Sequence, residues 1–318
     1  MRFRALAAVS VIAIGTFTVC AAADDPGKAA FPEIADCSHA TAGATAFFHS
    51  FFTAKSRHSV EATMDHFSRL KLMYVDATLG WAFDSYDAMT AVFATYMPKW
   101  PPSGLSYPTR ILGTEHSALV AFTDTPELFG GEIRVLAAVD MEGGKVVRWI
   151  DYWDARSFGA DLASTLRTPA DKFPTDFKET SVAGNASARI RAAATNLQAA
   201  FAGNDAKRAA SLFSYDAVYE DMAVRTQILG RSAIERYLGR ALGKLPAGEG
   251  SSLLHVVGGD MGGGYEWQAS PACQTTVRRG ITALELNQDG EISRLTTVWD
   301  GAMIPDPQLR ALVVLSLD

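Results

Sequence analysis

The chain has 318 residues, with 29 Lys and Arg against 35 Asp and Glu, a formal charge of −6, and 48% apolar side chains. Length and apolar content suit two ordinary domains and exclude a disordered or low-complexity class. The acidic balance, with no run of Lys or Arg, excludes a phosphate-tracking surface, so no nucleic acid is expected as a partner.

The chain opens MRFR, continues ALAAVSVIAIGTFTV and reaches the small-residue stretch CAAADD. A basic start, an apolar run and a small-residue site predict a signal peptide over residues 1–23, cut near Ala23. The run falls short of the roughly 20 apolar residues of a spanning helix. The mature chain is therefore expected to be periplasmic or secreted, without membrane insertion; lipidation at Cys20 is the alternative. Cys37 and Cys273 then remain, and in an oxidising compartment they either pair or stay as two buried thiols. No CxxC or HExxH spacing occurs, so neither a metal nor another cofactor is expected.

From residue 41 the segment TAGATAFFHSFFTA places Phe47, Phe48, Phe51 and Phe52 on one helical face. A second helix is predicted over 59–70, then a strand in LKLMYVDA. Asp84-Ser85-Tyr86-Asp87 reads as the capped start of a third helix that ends near Pro98. Four strand-like runs follow, SYPTRILG, HSALVAFTD, GEIRVLAAVDM and KVVRWIDYWD, with short turns that imply antiparallel pairing. A Pro-bearing polar linker is predicted over 167–185. The same order then returns: helices in IRAAATNLQAAFAG and DAKRAASLF, a strand in DAVYEDM, a helix in RSAIERYLGRALGKL, and closing strands ending in EISRLTTVWD. Between them the glycine-rich HVVGGDMGGGYEW reads as a hairpin rather than a phosphate cradle.

The order returns because the chain repeats itself. Arg148, Trp153 and Asp154 recur as Arg294, Trp299 and Asp300 at one constant offset, and Tyr74 and Asp76 recur as Tyr219 and Asp221 at an offset one residue shorter. A period this long means a duplicated domain, not a solenoid. The expected fold class is α+β: two tandem cone-shaped domains, each with three helices packed on a curved, mostly antiparallel sheet. The first copy spans 38–166, the second 186–303, and 304–318 is a C-terminal tail. Such a cone encloses an apolar cavity fit for a small molecule.

The runs SLFSYDAVYEDM, LGRSAIERYLGRALGKLP and LELNQDGEISRLTTVWDG resemble the nuclear-transport-factor-2-like superfamily, which includes ketosteroid isomerase, scytalone dehydratase and the SnoaL-like cyclases. The resemblance implies that Asp221, and Asp76 in the first copy, stand where the isomerases carry their general base. The alternative is an exposed Asp at a strand end. The isomerase's oxyanion donors are replaced by Leu197 and a residue near Thr282, and by a residue near Phe51 in the first copy. LMYVDATLGW is similar to the Tyr-bearing strand of scytalone dehydratase. Tyr74 is accordingly a candidate donor and His116 or His255 a candidate base or oxygen-holding group. Trp81, Arg110, Tyr152 and Tyr219 are candidate substrate contacts. Asp154 and Asp300 resemble the late-strand Asp of the cyclases, although a structural role, capping the loop after the sheet or pairing Arg148 and Arg294, explains them better. Alternation puts Arg148, Ile150, Tyr152 and Asp154 on one face of the closing strand, with Val147, Trp149, Asp151 and Trp153 on the other.

Two functions remain open. One is an exported, cofactor-independent lyase, isomerase or cyclase acting on a hydrophobic aromatic or polycyclic small molecule. The other is a non-catalytic periplasmic binding or scaffold protein. In either, the duplication could form a pseudo-dimer within one chain, or two chains a homodimer.

Overall fold

A computed structural model describes residues 30–270 and 276–317. The expected signal peptide and Cys273 lie outside the described residues. Cys37 is disulfide-bonded.

The first half runs β1 (Asp36–Ala40), α1 (Ala42–Ser56), α2 (Val60–Met64), β2 (Met73–Asp76), β3 (Trp81–Phe83) and α3 (Tyr86–Tyr96). It continues β4 (Ser106–Gly113), β5 (Ser117–Asp124), α4 (Pro126–Phe129), β6 (Ile133–Glu142), β7 (Lys145–Trp153), α5 (Ala155–Phe158) and α6 (Ala160–Leu166). The second half begins α7 (Ala188–Ala202), α8 (Ala206–Ala210), β8 (Phe213–Asp221), β9 (Thr226–Leu229) and α9 (Arg231–Ala241). It closes with β10 (Ser252–Gly258), β11 (Gly262–Gln268), β12 (Arg279–Leu286), β13 (Ile292–Val298) and α10 (Asp306–Val314). The segment expected as a tail thus carries a helix, because Leu309 and Leu312 find a place in the second core.

The strands form two separate sheets, ordered β1-β4-β5-β6-β7-β2-β3 and β10-β11-β12-β13-β8-β9. Removing β1 makes them the same sheet. Apart from β1, which lies parallel to β4, each is antiparallel except where the closing strand meets the early one, β7 with β2 and β13 with β8. The registers also match: Asp76 pairs with Asp151 and Trp81, as Asp221 pairs with Thr297 and Thr226. The chain is a tandem α+β duplication, and the repeated residues occupy equivalent places.

The local reasons are ordinary ones. Thr41, Ser59 and Ser85 cap α1, α2 and α3 by accepting a backbone N–H in the first turn, and Ser187 does the same for α7. The predicted second helix stops early, at Met64, because Phe67 leaves it to bridge Val146 on the sheet. Inside the first cone, Phe48, Phe51 and Phe52 from α1 pack around Trp149, with ring centroids 6.1, 4.9 and 6.5 Å away.

The outer faces of the two sheets lie against each other. Met73, Leu112, Leu136 and Ile150 of the first sheet form one apolar cluster with Val257, Ile281, Ala283 and Val298 of the second. With helices on one face and a sheet on the other, β7 has only its first residue exposed. The glycine run predicted as a hairpin is the β10–β11 turn, and it serves this contact. A Cβ on Gly262 would stand 2.7 Å from the His39 Cβ, and one on Gly264 would stand 2.7 Å from Leu119. Bare backbone lets the sheets approach.

Polar pairs at the contact obey the same pseudo-twofold relation. Arg110 on β4 reaches Glu285 on β12 at 3.1 Å, and its equivalent, His255 on β10, reaches Asp140 on β6 at 2.8 Å. Such reciprocity is the mark of an isologous contact. The His255 side has diverged further: Glu266 receives Arg148 at 2.6 Å, Arg279 at 3.0 Å and the Tyr152 hydroxyl at 2.6 Å. Burial pushes the Glu266 carboxyl up, but the two guanidinium groups outweigh it and hold it below the usual carboxylate range.

Candidate functional site

A cavity of about 340 Å³ lies inside the first cone. Its walls come from α1, α3 and α4, the inner face of the sheet, and Leu162 and Leu166 of α6. Much of the lining is aromatic, including Trp81, Phe83, Phe93, Tyr96 and Trp100, and the volume is of the order usual for a small-molecule site. Four charged side chains interrupt it: Lys55, Asp76, Asp124 and Asp151.

Asp76 ends β2. Its Oδ1 accepts the Thr78 and Leu79 N–H groups at 2.9 and 2.8 Å, and its Oδ2 accepts Trp153 Nε1–H at 3.0 Å. Asp151 is its register partner on β7. There Oδ1 accepts Trp149 Nε1–H at 2.6 Å, and Oδ2 accepts the Tyr74 hydroxyl. Burial is the largest influence on both. It pushes Asp76 up to about 6, against three hydrogen bonds that favour its anion. It pushes Asp151 up to about 7, with the neighbouring Asp76 charge as the next cause. The two carboxyls are neighbours in the register, and burial brings both toward neutral pH, Asp151 further because the Asp76 charge adds to it. Tyr74 is half-buried, and the burial of its hydroxyl together with the Asp151 charge beside it holds that hydroxyl well above the ordinary phenol range.

Across the lining, Lys55 Nζ donates to both oxygens of Asp124, at 3.1 and 3.3 Å, and lies 4.9 Å from the centre of the Phe122 ring. Both members of this ion pair are buried.

The second copy shows which of these features the fold itself requires. Asp221 repeats Asp76 almost atom for atom, accepting Ala223 and Val224 N–H at 3.0 and 2.9 Å and Trp299 Nε1–H at 3.3 Å. Burial pushes it up to about 6 as well. The rest of the constellation is gone. Thr297 takes the place of Asp151, Ala269 that of Asp124, and Phe201 stands on α7 where Lys55 stands on α1. Phe201, Tyr219, Tyr237 and Trp267 are fully buried in the second core.

The structure therefore brings Tyr74, Asp76 and Trp81 together in one cavity and disperses the other candidates. Asp221 and Tyr219 are inside the second cone. His116 is exposed on the β4–β5 turn, so it does not reach the cavity as a base. Arg110, Tyr152 and His255 point from the outer faces of the sheets into the contact between the domains, where each has a charged partner. Asp154 and Asp300 cap the turns after the two sheets, accepting Arg156 N–H at 3.1 Å and Ala302 N–H at 3.0 Å. They also tie the halves together, since Asp300 accepts the Ala155 N–H at 3.1 Å.

Sequence reasoning passed over Asp151, Lys55 and Asp124. A signal was present for the first: Asp151 alternates with Tyr152 and shares its face with Trp149 and Trp153. Periodicity separates two faces without saying which one is inside. Asp36, His39 and Glu285 bring ligand-type atoms within 4.8 Å of one another, but Glu285 is already paired with Arg110.

Similar chains are found among solved structures. A steroid delta-isomerase from Pseudomonas aeruginosa matches with 17% identity and a TM-score of 0.33, covering 42% of this chain and 93% of that one. An NTF-2-like protein of unknown function from Burkholderia xenovorans matches with 19% identity and a TM-score of 0.30, covering 38% and 91%. A SnoaL-like protein of unknown function from Burkholderia thailandensis matches with 12% identity and a TM-score of 0.31, covering 36% and 97%. The chain is similar to nuclear-transport-factor-2-like proteins. Each of these three matches covers about two-fifths of it. No family model and no curated relative matches the chain. Among the described residues, no helix is long and apolar enough to cross a membrane.

Proposed function

We propose that the first domain is a cofactor-independent acid–base enzyme, a lyase, isomerase or cyclase, acting on a hydrophobic aromatic or polycyclic small molecule. The observation that carries this reading is Asp151 beside Asp76 in an aromatic cavity. The second copy keeps the Asp76 arrangement and drops its acidic neighbour, so the pair is not a requirement of the fold. Asp76, whose anion has three hydrogen-bond donors, takes a proton from carbon beside a carbonyl. Asp151 delivers its own proton to the carbonyl oxygen or to a departing hydroxyl, with Tyr74 holding it in place. A proton leaves carbon and another reaches oxygen, so no redox partner is needed. The second domain serves as a scaffold that covers the outer face of the first sheet, a pseudo-dimer within one chain.

The test uses an enolisable fused-ring ketone, 2-tetralone, in deuterium oxide, with proton loss followed by NMR. The full chain is expected to accelerate exchange at the carbon between ring and carbonyl, and Asp221→Asn is expected to leave the rate within about twofold. No acceleration by the unaltered protein with this ketone or with ring-substituted relatives would sink the reading and leave binding as the function. We also place the protein outside the cytoplasm, on the strength of the leader. N-terminal sequencing of the exported form is expected to begin just after Ala23, and a mature chain beginning MRFRAL would refute export by cleavage.

A further inference from the structure

The charges in the cavity do not balance. Three carboxylates and one ammonium line it, and the ammonium is committed: Lys55 holds both oxygens of Asp124 at 3.1 and 3.3 Å. Asp76 and Asp151 receive only neutral donors, two backbone N–H groups, two indole N–H groups and one phenol. Among the described residues neither makes an ion pair. The remaining titratable groups on the walls are Tyr96 from α3 and Tyr74 from β2, whose hydroxyl burial and the neighbouring Asp151 keep protonated. With the pair holding one proton the cavity carries one uncompensated negative charge, and without it two. Burying such charge is costly unless a counter-charge arrives. Aromatic faces surround it, and these attract cations and disfavour anions. Trp100 lines the same cavity, and among the described residues its buried Nε1–H has no acceptor.

We propose that the ligand of this cavity is a hydrophobic cation, an aromatic or fused-ring ammonium whose charge neutralises the Asp76–Asp151 pair while its rings lie among Trp81, Phe93 and Trp100. The inference rests on the reading that this cavity is the ligand site. It explains the carboxylate pair as a recognition element as well as an acid and a base, since one proton and one anion remain available with the cation bound. Because burial raises both carboxyls, to about 6 and about 7, the cavity loses its charge on the acid side of neutrality.

Three probes with the same ring system separate the possibilities: 2-naphthylmethylammonium, 2-naphthalenemethanol and 2-naphthoate. Calorimetric titration of the full chain at pH 8 is expected to rank them ammonium, alcohol, carboxylate, with about a tenfold or greater gap between the first two. At pH 5 that gap should close. Asp76→Asn combined with Asp151→Asn should bind the alcohol as before and lose the preference for the ammonium. Should the double variant not fold, the pH dependence of the unaltered protein decides alone. Equal binding of ammonium and alcohol at pH 8, tightest binding of the naphthoate, or no binding of any probe would overturn the proposal. A cation preference without ketone exchange would sink only the acid–base reading; exchange without the preference would sink only this one.

Discussion

Asp151→Asn is expected to lower turnover by roughly 10²–10⁴-fold, the usual cost of removing a positioned acid or base, while raising the melting temperature at pH 8. The second effect follows from linkage. Asp151 is pushed up to about 7, so the native chain holds a proton that the unfolded chain releases near pH 4. Wherever the native state binds more protons, stability falls as pH rises, so the loss accumulates between about pH 4 and pH 7 and then levels off. An amide has no such proton to lose. Its carbonyl can accept the Trp149 N–H, and the Tyr74 hydroxyl can turn to accept from its amino group. The variant should therefore gain on the order of 2–4 kcal/mol at pH 8, or roughly 5–10 °C, and little at pH 4. Asp76→Asn should lose activity to a similar extent without that gain. Its amino group would face the Trp153 N–H, donor against donor, in place of a 3.0 Å hydrogen bond. Melting curves at pH 4 and pH 8 beside exchange rates check both variants. An Asp151→Asn protein with full activity would remove the acid–base mechanism, and one that melts lower at pH 8 would contradict the buried-charge argument.

The second large effect concerns Lys55 and Asp124. Lys55→Met leaves a carboxylate buried without its cation and is expected to cost about 3–5 kcal/mol of folding stability. Adding Asp124→Leu removes the stranded charge, so the double variant should return to within about 1 kcal/mol of the parent or exceed it. The second copy already presents that solution, with Phe201 and Ala269 at the equivalent places. Denaturant unfolding of the two variants gives the comparison. A double variant as unstable as Lys55→Met would show that the pair contributes packing rather than compensated charge.

Much of the architecture was legible because it rests on local and periodic signals. Ser and Thr caps mark where α1, α3 and α7 begin, and hydrophobic periods of two and of nearly four distinguish the strands from the helices. The repeat of Arg148, Trp153 and Asp154 is enough to identify the duplication. The indole–carboxylate pairs explain part of why those letters persist: Trp153 bonds Asp76 and Trp299 bonds Asp221, closing each early strand onto its last strand. β1, by contrast, was not foreseen. DCSHA has no alternating pattern, and it becomes a strand only because the edge of β4 offers parallel partners at Asp36 and His39.

What the sequence determined by itself was therefore the α+β class, the number of copies, and a short set of residues that included Tyr74, Asp76 and Trp81. The tertiary structure alone decided which face of β7 is the inside. Both faces of that strand are buried, one by helices and one by the second sheet, so hydrophobicity marks neither as the interior. Tyr152 and Arg148 went to the contact between domains, and Asp151 went to the cavity. Nor could spacing unite Lys55 with Asp124, or Asp76 with Asp151, which lie far apart in the chain. Pairs of this kind are made by sheet register and by the closure of a helix over it, and their altered acidity comes from burial, which no linear pattern encodes.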